Sequence, residues 1–345
     1  LKQSVNHHTI KGGEHMKKKW IAFAALGAVT TPVLAQSHVT IYGLLDAAIV
    51  HESGSAAGSS TRLSSGVQSG SRLGFKGVED LGGGLSAKFQ LESGILLDTG
   101  ASAQGGVLYG RQALVGLGGA FGEVTAGRQY TPYLNALDAV DPFGTGSIAN
   151  SQNLFVDGPS RMTNSLIYAT PGNLSGFSAA IAYGFGEVAG NTSANRQLGF
   201  SAGYESGPLF LTVAHHDSNN ATGSGGTKGS FAGGTWNFGM AKLHLAAGNN
   251  DAGGLKSRDM LAGVTVPFGQ SSVMLSYVHK DDRSAAGNDA SQLGLGYSYA
   301  MSKRTNLYAS YARISNDNAA AYTVGDATNG YAGNKGVAVG IRHRF

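Results

Sequence analysis

Only 13% of the 345 residues are Asp, Glu, Lys or Arg, so the few places where ionisable side chains gather are conspicuous. His215-His216-Asp217 is the most compact set that could hold a metal ion or relay a proton. It sits in an alternating apolar run, and successive strand side chains point to opposite faces, so the two imidazoles cannot converge on one ion or one proton. The lack of cysteine removes thiol metal sites and disulfides. Catalysis is therefore not expected, nor is any cofactor or metal.

A second grouping offers electrostatics instead of bond chemistry. Asp138, Asp141, Asp157 and Arg161 lie in the stretch 129–164, which is rich in Gly, Asn and Asp and has no steady period. A structureless segment of that size inside a compact domain is uncommon and usually functional. Arg72, Arg111 and Arg128, with Lys76 as an outer member, supply the opposite charge. Facing rows of opposite sign put a transverse field across an opening, which low-dielectric walls focus and which sorts ions without binding them tightly.

The elements that must position these residues are strands. Val39, Ile41, Leu45, Ala47 and Ile49 share one side of an alternating run, with Thr40, Tyr42 and Asp46 on the other. The pattern resumes after a Ser/Gly-rich loop at 52–71, turns through Gly82-Gly83-Gly84, and continues almost to the last residue. Short turns near 118–122, 171–173, 205–208, 238–240, 268–270 and 301–304 alternate with longer polar segments, among them 101–106, 187–194, 217–228, 249–257, 281–288 and 315–334. The count is about sixteen strands. Short turns at one end and longer loops at the other are the plan of an outer-membrane β-barrel, periplasmic and external respectively.

The polar faces argue against a soluble sandwich. Gln292, Gly294, Gly296 and Ser298 oppose Leu293, Leu295, Tyr297 and Tyr299, with hardly a charge among them. Such faces suit an all-β transmembrane antiparallel barrel with a wet lumen, and closure removes the strand edges that lipid cannot satisfy.

Charge placement removes the case that a basic pI would make for nucleic acid, which is not expected as a partner. Residues 1–35 hold five Lys and one Glu; the rest of the chain holds 20 basic and 20 acidic residues, so the net +4 belongs to the leading segment. Met16, three lysines, the apolar run from Trp20 and a small-residue stop at Ala35 read as a signal peptide over 16–35. Residues 1–15 are expected to be a mis-called upstream extension, leaving 36–345 as the barrel.

Several motifs carry a family resemblance: Ser71-Arg72-Leu73-Gly74-Phe75-Lys76-Gly77-Val78-Glu79-Asp80-Leu81-Gly82, Arg111-Gln112-Ala113, Gly127-Arg128-Gln129-Tyr130, Ser302-Lys303-Arg304-Thr305-Asn306-Leu307-Tyr308 and Gly340-Ile341-Arg342-His343-Arg344-Phe345. Together they resemble the general porins of the Burkholderia, Bordetella and Neisseria type. The resemblance implies a homotrimer of sixteen-stranded barrels in the Gram-negative outer membrane, in contact with its lipid and lipopolysaccharide, passing small hydrophilic solutes and ions. It implies that 129–164 is the third external loop, folded into the lumen. It also implies that Phe345 is the tag read by the barrel-assembly machinery, and that Arg111 belongs to the constriction. Parity alone leaves Arg111 and Arg128 aimed at lipid, unless a bulge re-aims them or they lie beyond the strand ends. The rival readings are an adhesin or receptor barrel working through its loops, and a substrate-specific channel.

Overall fold

The computed structural model describes residues 38–155, 158–172 and 174–345. The segments expected to be a signal peptide (16–35) and an upstream extension (1–15), and Asp157, lie outside them.

Among the described residues, eighteen strand segments run antiparallel to their neighbours. Ala101–Ser102 is a two-residue ladder within a loop. Gly58–Ser65 and Arg72–Gly82 pair with the external and periplasmic halves of His38–Ser55, so they are two halves of one crossing. Sixteen crossings remain. Lys335–Arg344 closes the barrel by pairing with both Thr305–Asn316 and His38–Ser55. Beyond it, Gly43 and Phe345 exchange backbone hydrogen bonds of 3.2 and 3.1 Å. A Cβ on Gly43 would stand 2.2 Å from the Phe345 ring, so the missing side chain is what seats that ring.

Burial is inverted relative to a soluble domain, because the alternating apolar residues face out and the polar ones face in. Val39, Ile41, Ile49, Leu293, Leu295, Val337, Val339 and Ile341 are exposed. Asp46, Glu52, Glu92, Asp259, Lys280 and Gln292 are buried inside. An apolar outer belt over a polar interior is the arrangement lipid requires.

Two loop expectations fail. The Ser/Gly-rich segment at 52–71 is mostly strand, since small side chains are no obstacle to the hairpin in which Gly58–Ser65 pairs with His38–Ser55. The polar segment at 249–257 closes as a tight hairpin at Gly253-Gly254, both with positive φ (64° and 97°), a conformation glycine adopts at little cost.

The buried apolar cluster lies inside the barrel, between the third external loop and the wall. Tyr133, Leu137, Val140, Ile148, Leu154 and Phe155 of the loop meet Ala214, Phe231, Ala246, Val278, Ala312 and Ile314 of the strands. The loop is thus drawn inward by burial of its own apolar residues.

Candidate functional site

The stretch taken from its composition to be structureless contains a helix. Strand Gly122–Tyr130 leads into helix Pro132–Val140, and the chain rejoins the wall at Arg161–Ala169. The Thr131 hydroxyl accepts from the Leu134 N–H at 3.1 Å, and Pro132 occupies the first turn, where its missing N–H is no loss. Tyr133, Ala136, Leu137 and Val140 fall on its buried face.

Polar moorings fix this loop across the lumen. The Gln292 amide donates to the carbonyls of Ala149 and Asn150, each at 3.0 Å, and accepts from Asn153 at 2.7 Å. Asn250 donates to the Phe155 carbonyl at 3.0 Å and to Asp259, which pairs with Lys280 at 3.2 Å. His244 spans the Val140 carbonyl and the Thr265 hydroxyl, each at 3.1 Å. The wall opposite the loop is recessed by glycine. A Cβ on Gly263 would meet Pro142 at 2.4 Å, and one on Gly296 would meet the Phe143 ring at 2.6 Å.

Beside the loop remains a cavity of about 740 Å³. Of the residues expected to act there, it brings together Arg72, Arg111, Arg161, Asp138 and Asp141. Arg72 is part exposed, its Nε held by the Gly70 carbonyl at 2.9 Å. Arg161 donates to the Tyr130 hydroxyl at 2.9 Å and lies 4.5 Å from that ring's centroid. Asp138, on the exposed side of the helix, accepts from Thr145 at 2.7 Å. Desolvation holds its carboxyl above the usual carboxylate range, against the Thr145 hydrogen bond and the charge of Arg72.

The surroundings of the other expected members, and of Arg111 and Asp141 among those in the cavity, differ from one to the next. Asp141 is buried and follows the helix, where its carboxylate accepts from the N–H groups of Phe143 (2.9 Å), Thr145 (3.2 Å) and Ser151 (2.9 Å). It organises the loop and presents little charge to solutes. Arg111 does turn inward, because it lies just before the strand Gln112–Gly119, but it is buried against Glu92 at 2.7 Å, which offsets its charge. Glu92 also lies 3.9 Å from Arg72 and accepts from Tyr42 at 2.9 Å. A register shift does occur between Gly127 and Gln129, yet Arg128 spends its Nε on the Gly110 carbonyl at 2.7 Å and does not line the cavity. Lys76 faces the lumen nearer the periplasmic end, 5.1 Å from the Tyr42 ring centroid, outside the cavity.

Sequence reasoning missed Lys242, Arg342 and Arg344, which also line the cavity. Arg342 is held by Asn306 (3.0 Å) and Ser69 (2.8 Å). Their signal was parity, since both arginines alternate with outward Ile341 and Phe345. The histidine pair behaves as alternation requires. His216 is buried inside with Gln197 at 3.2 Å, whereas His215 faces out to Ser230 at 2.7 Å.

A family model described as Gram-negative porin matches residues 22–319. The chain belongs to that family. It is 36% identical to outer membrane porin protein 32 of Delftia acidovorans, over 96% of this chain and 100% of the relative. An outer membrane porin protein of Bordetella pertussis is 32% identical over the same shares. Among solved structures, an anion-selective porin from Comamonas acidovorans superposes with a TM-score of 0.78 at 34% identity, covering 90% of this chain and 100% of that one. OmpT of Vibrio cholerae, at 17% identity and a TM-score of 0.65, shares the fold. The porin is thus an outer-membrane protein of Gram-negative type and a passive channel.

Proposed function

We propose that the porin passes small hydrophilic solutes with a preference for anions, through a constriction between the inward-folded third loop and the arginine-bearing wall. One observation carries this reading. Of the charged side chains lining the cavity, Arg72, Arg111, Arg161, Lys242, Arg342 and Arg344 are basic, and only Asp138 and Asp141 are acidic. With Asp141 turned to backbone and Glu92 offsetting Arg111, the surplus is still positive. A positive potential in a low-dielectric channel raises the local anion concentration. The selectivity named for the Comamonas protein agrees with it. The opposed-row picture is accordingly revised to a basic wall facing one exposed carboxylate, Asp138. The family resemblance further supports a homotrimer, with Phe345 recognised by the assembly machinery through the ring seated on Gly43. Reversal potentials across bilayers holding single channels in a salt gradient test the preference, and a cation-selective potential at neutral pH refutes it.

A further inference from the structure

Tyr130 stands at the cavity because the wall is bent beside it. It shares the parity of outward Val124, so an unbroken strand would aim it at lipid. The register shift between Gly127 and Gln129 reverses that, and Tyr130 pairs with Arg161 and lines the cavity. Glycine is required at the bend. Gly127 has a φ of 132°, and a Cβ there would stand 2.1 Å from the Ala113 carbonyl oxygen.

Two cations then converge on one phenol. Arg111 and Arg161 both donate to the Tyr130 hydroxyl, Arg161 at 2.9 Å, and their guanidinium carbons lie 5.9 and 4.5 Å from the ring centroid. A phenol oxygen both accepts and donates, whereas guanidinium only donates. With two guanidinium N–H groups on its oxygen, Tyr130 cannot give its own proton to either arginine, and among the described residues no group accepts it. The side chain is half-buried and borders the cavity, so that proton is left for a solute. Hydrogen bonds in a chain polarise one another. The two cations therefore make this O–H a stronger donor than that of a solitary tyrosine. Arg111, buried and offset by Glu92, thereby reaches the lumen through a neighbour.

We propose that Tyr130 is a specificity-determining residue for oxyanions: its hydroxyl, held by Arg111 and Arg161, donates a directed hydrogen bond to a carboxylate or other oxyanion passing the constriction. The guanidinium groups around the cavity supply the charge, and charge alone does not tell a carboxylate from a halide. A fixed O–H does, because a carboxylate oxygen accepts along defined lone-pair directions and a spherical halide has none. The inference rests on the anion preference proposed above and adds to it a preference among anions.

The test is Tyr130→Phe in the full barrel, which keeps the ring against Arg161 and removes the hydroxyl. Single-channel conductance is recorded against concentration in sodium formate and in sodium chloride. Formate and chloride carry equal charge, so guanidinium groups displaced by the change would alter both. The half-saturating formate concentration is expected to rise about threefold or more, and that of chloride by less than about 1.5-fold. Tyr130→Leu, which also lacks the hydroxyl, carries the same expectation if the Phe variant forms no channels. An unmoved formate value in a conducting variant overturns the proposal while leaving the anion preference standing. An equal change in both salts also overturns it, since the hydroxyl would then only place the arginines. The parent's reversal potential is read first, and cation selectivity there overturns the anion preference and this inference with it.

Discussion

Arg72→Ala isolates one wall charge from its neighbours. The Arg72 guanidinium is part exposed in the cavity, and its removal leaves Glu92 paired with Arg111 at 2.7 Å, so no buried carboxylate is orphaned. An anion passing ~6 Å from the guanidinium, at an effective dielectric constant of ~60, loses about 0.9 kcal/mol of attraction. Screening in 0.1 M salt, with a Debye length of ~10 Å, reduces this to about 0.5 kcal/mol. At ~1.4 kcal/mol per tenfold change, anion occupancy falls by a factor of about 2.3 and cation occupancy rises by the same factor. The anion-to-cation permeability ratio is therefore expected to fall about fivefold. In 1 M salt the Debye length is ~3 Å and the same charge shifts the ratio by only about 1.5-fold. Reversal potentials measured at a fixed tenfold gradient, centred first on low and then on high salt, check both numbers. A shift of equal size at both ionic strengths would refute the electrostatic account and assign the effect to pore shape.

Deleting residues 143–156 removes Ile148, Leu154 and Phe155 from the lumen and is expected to raise conductance and the solute size limit, read by single-channel recording and liposome swelling. Because Asp138 is held above the usual carboxylate range, falling pH neutralises it before free carboxylates titrate, so anion preference should rise on mild acidification. Asp138→Asn should show the raised preference at neutral pH and lose that step. Asp141→Asn replaces one carboxylate oxygen by an amide NH2 and leaves one or two of the N–H groups of Phe143, Thr145 and Ser151 without an acceptor, so it is expected to cost about 1–3 kcal/mol of loop stability and to increase current noise, with little change in reversal potential. Phe345→Ala is expected to lower the yield of assembled barrel at the surface more than the conductance of each channel that forms; wild-type surface levels would count against it.

The barrel was legible because lipid enforces a period of two. The outward residues of the first and last strands, from Val39 to Phe345, fall where alternation puts them. The loop helix was signalled by Thr131-Pro132 and by Tyr133, Ala136, Leu137 and Val140 at helical spacing, but nine residues amid Gly and Asp are a short signal. Asp141 shows the limit of reading charge as function. Its carboxylate is bound to N–H groups two, four and ten residues onward, and only the folded loop brings the last of these near. Glu92 stood on the lumenal face by parity, yet its partner Arg111 lies beyond a strand end, where parity assigns no direction. Arg342 and Arg344 were legible and overlooked, since attention went to the Gly-Arg-Gln triplets.

The recessed glycines opposite the loop have a geometric consequence. With Pro142 against Gly263 and Phe143 against Gly296, the loop occupies one side of the cross-section and leaves an eccentric passage along the other. A solute in such a passage travels beside the Arg342–Arg72–Arg161 arc rather than down the axis, and keeps one flank to the guanidinium groups throughout. Two anions of equal size and charge would then be told apart by where on their outline the charge lies, a discrimination of orientation that a centred, round opening could not make.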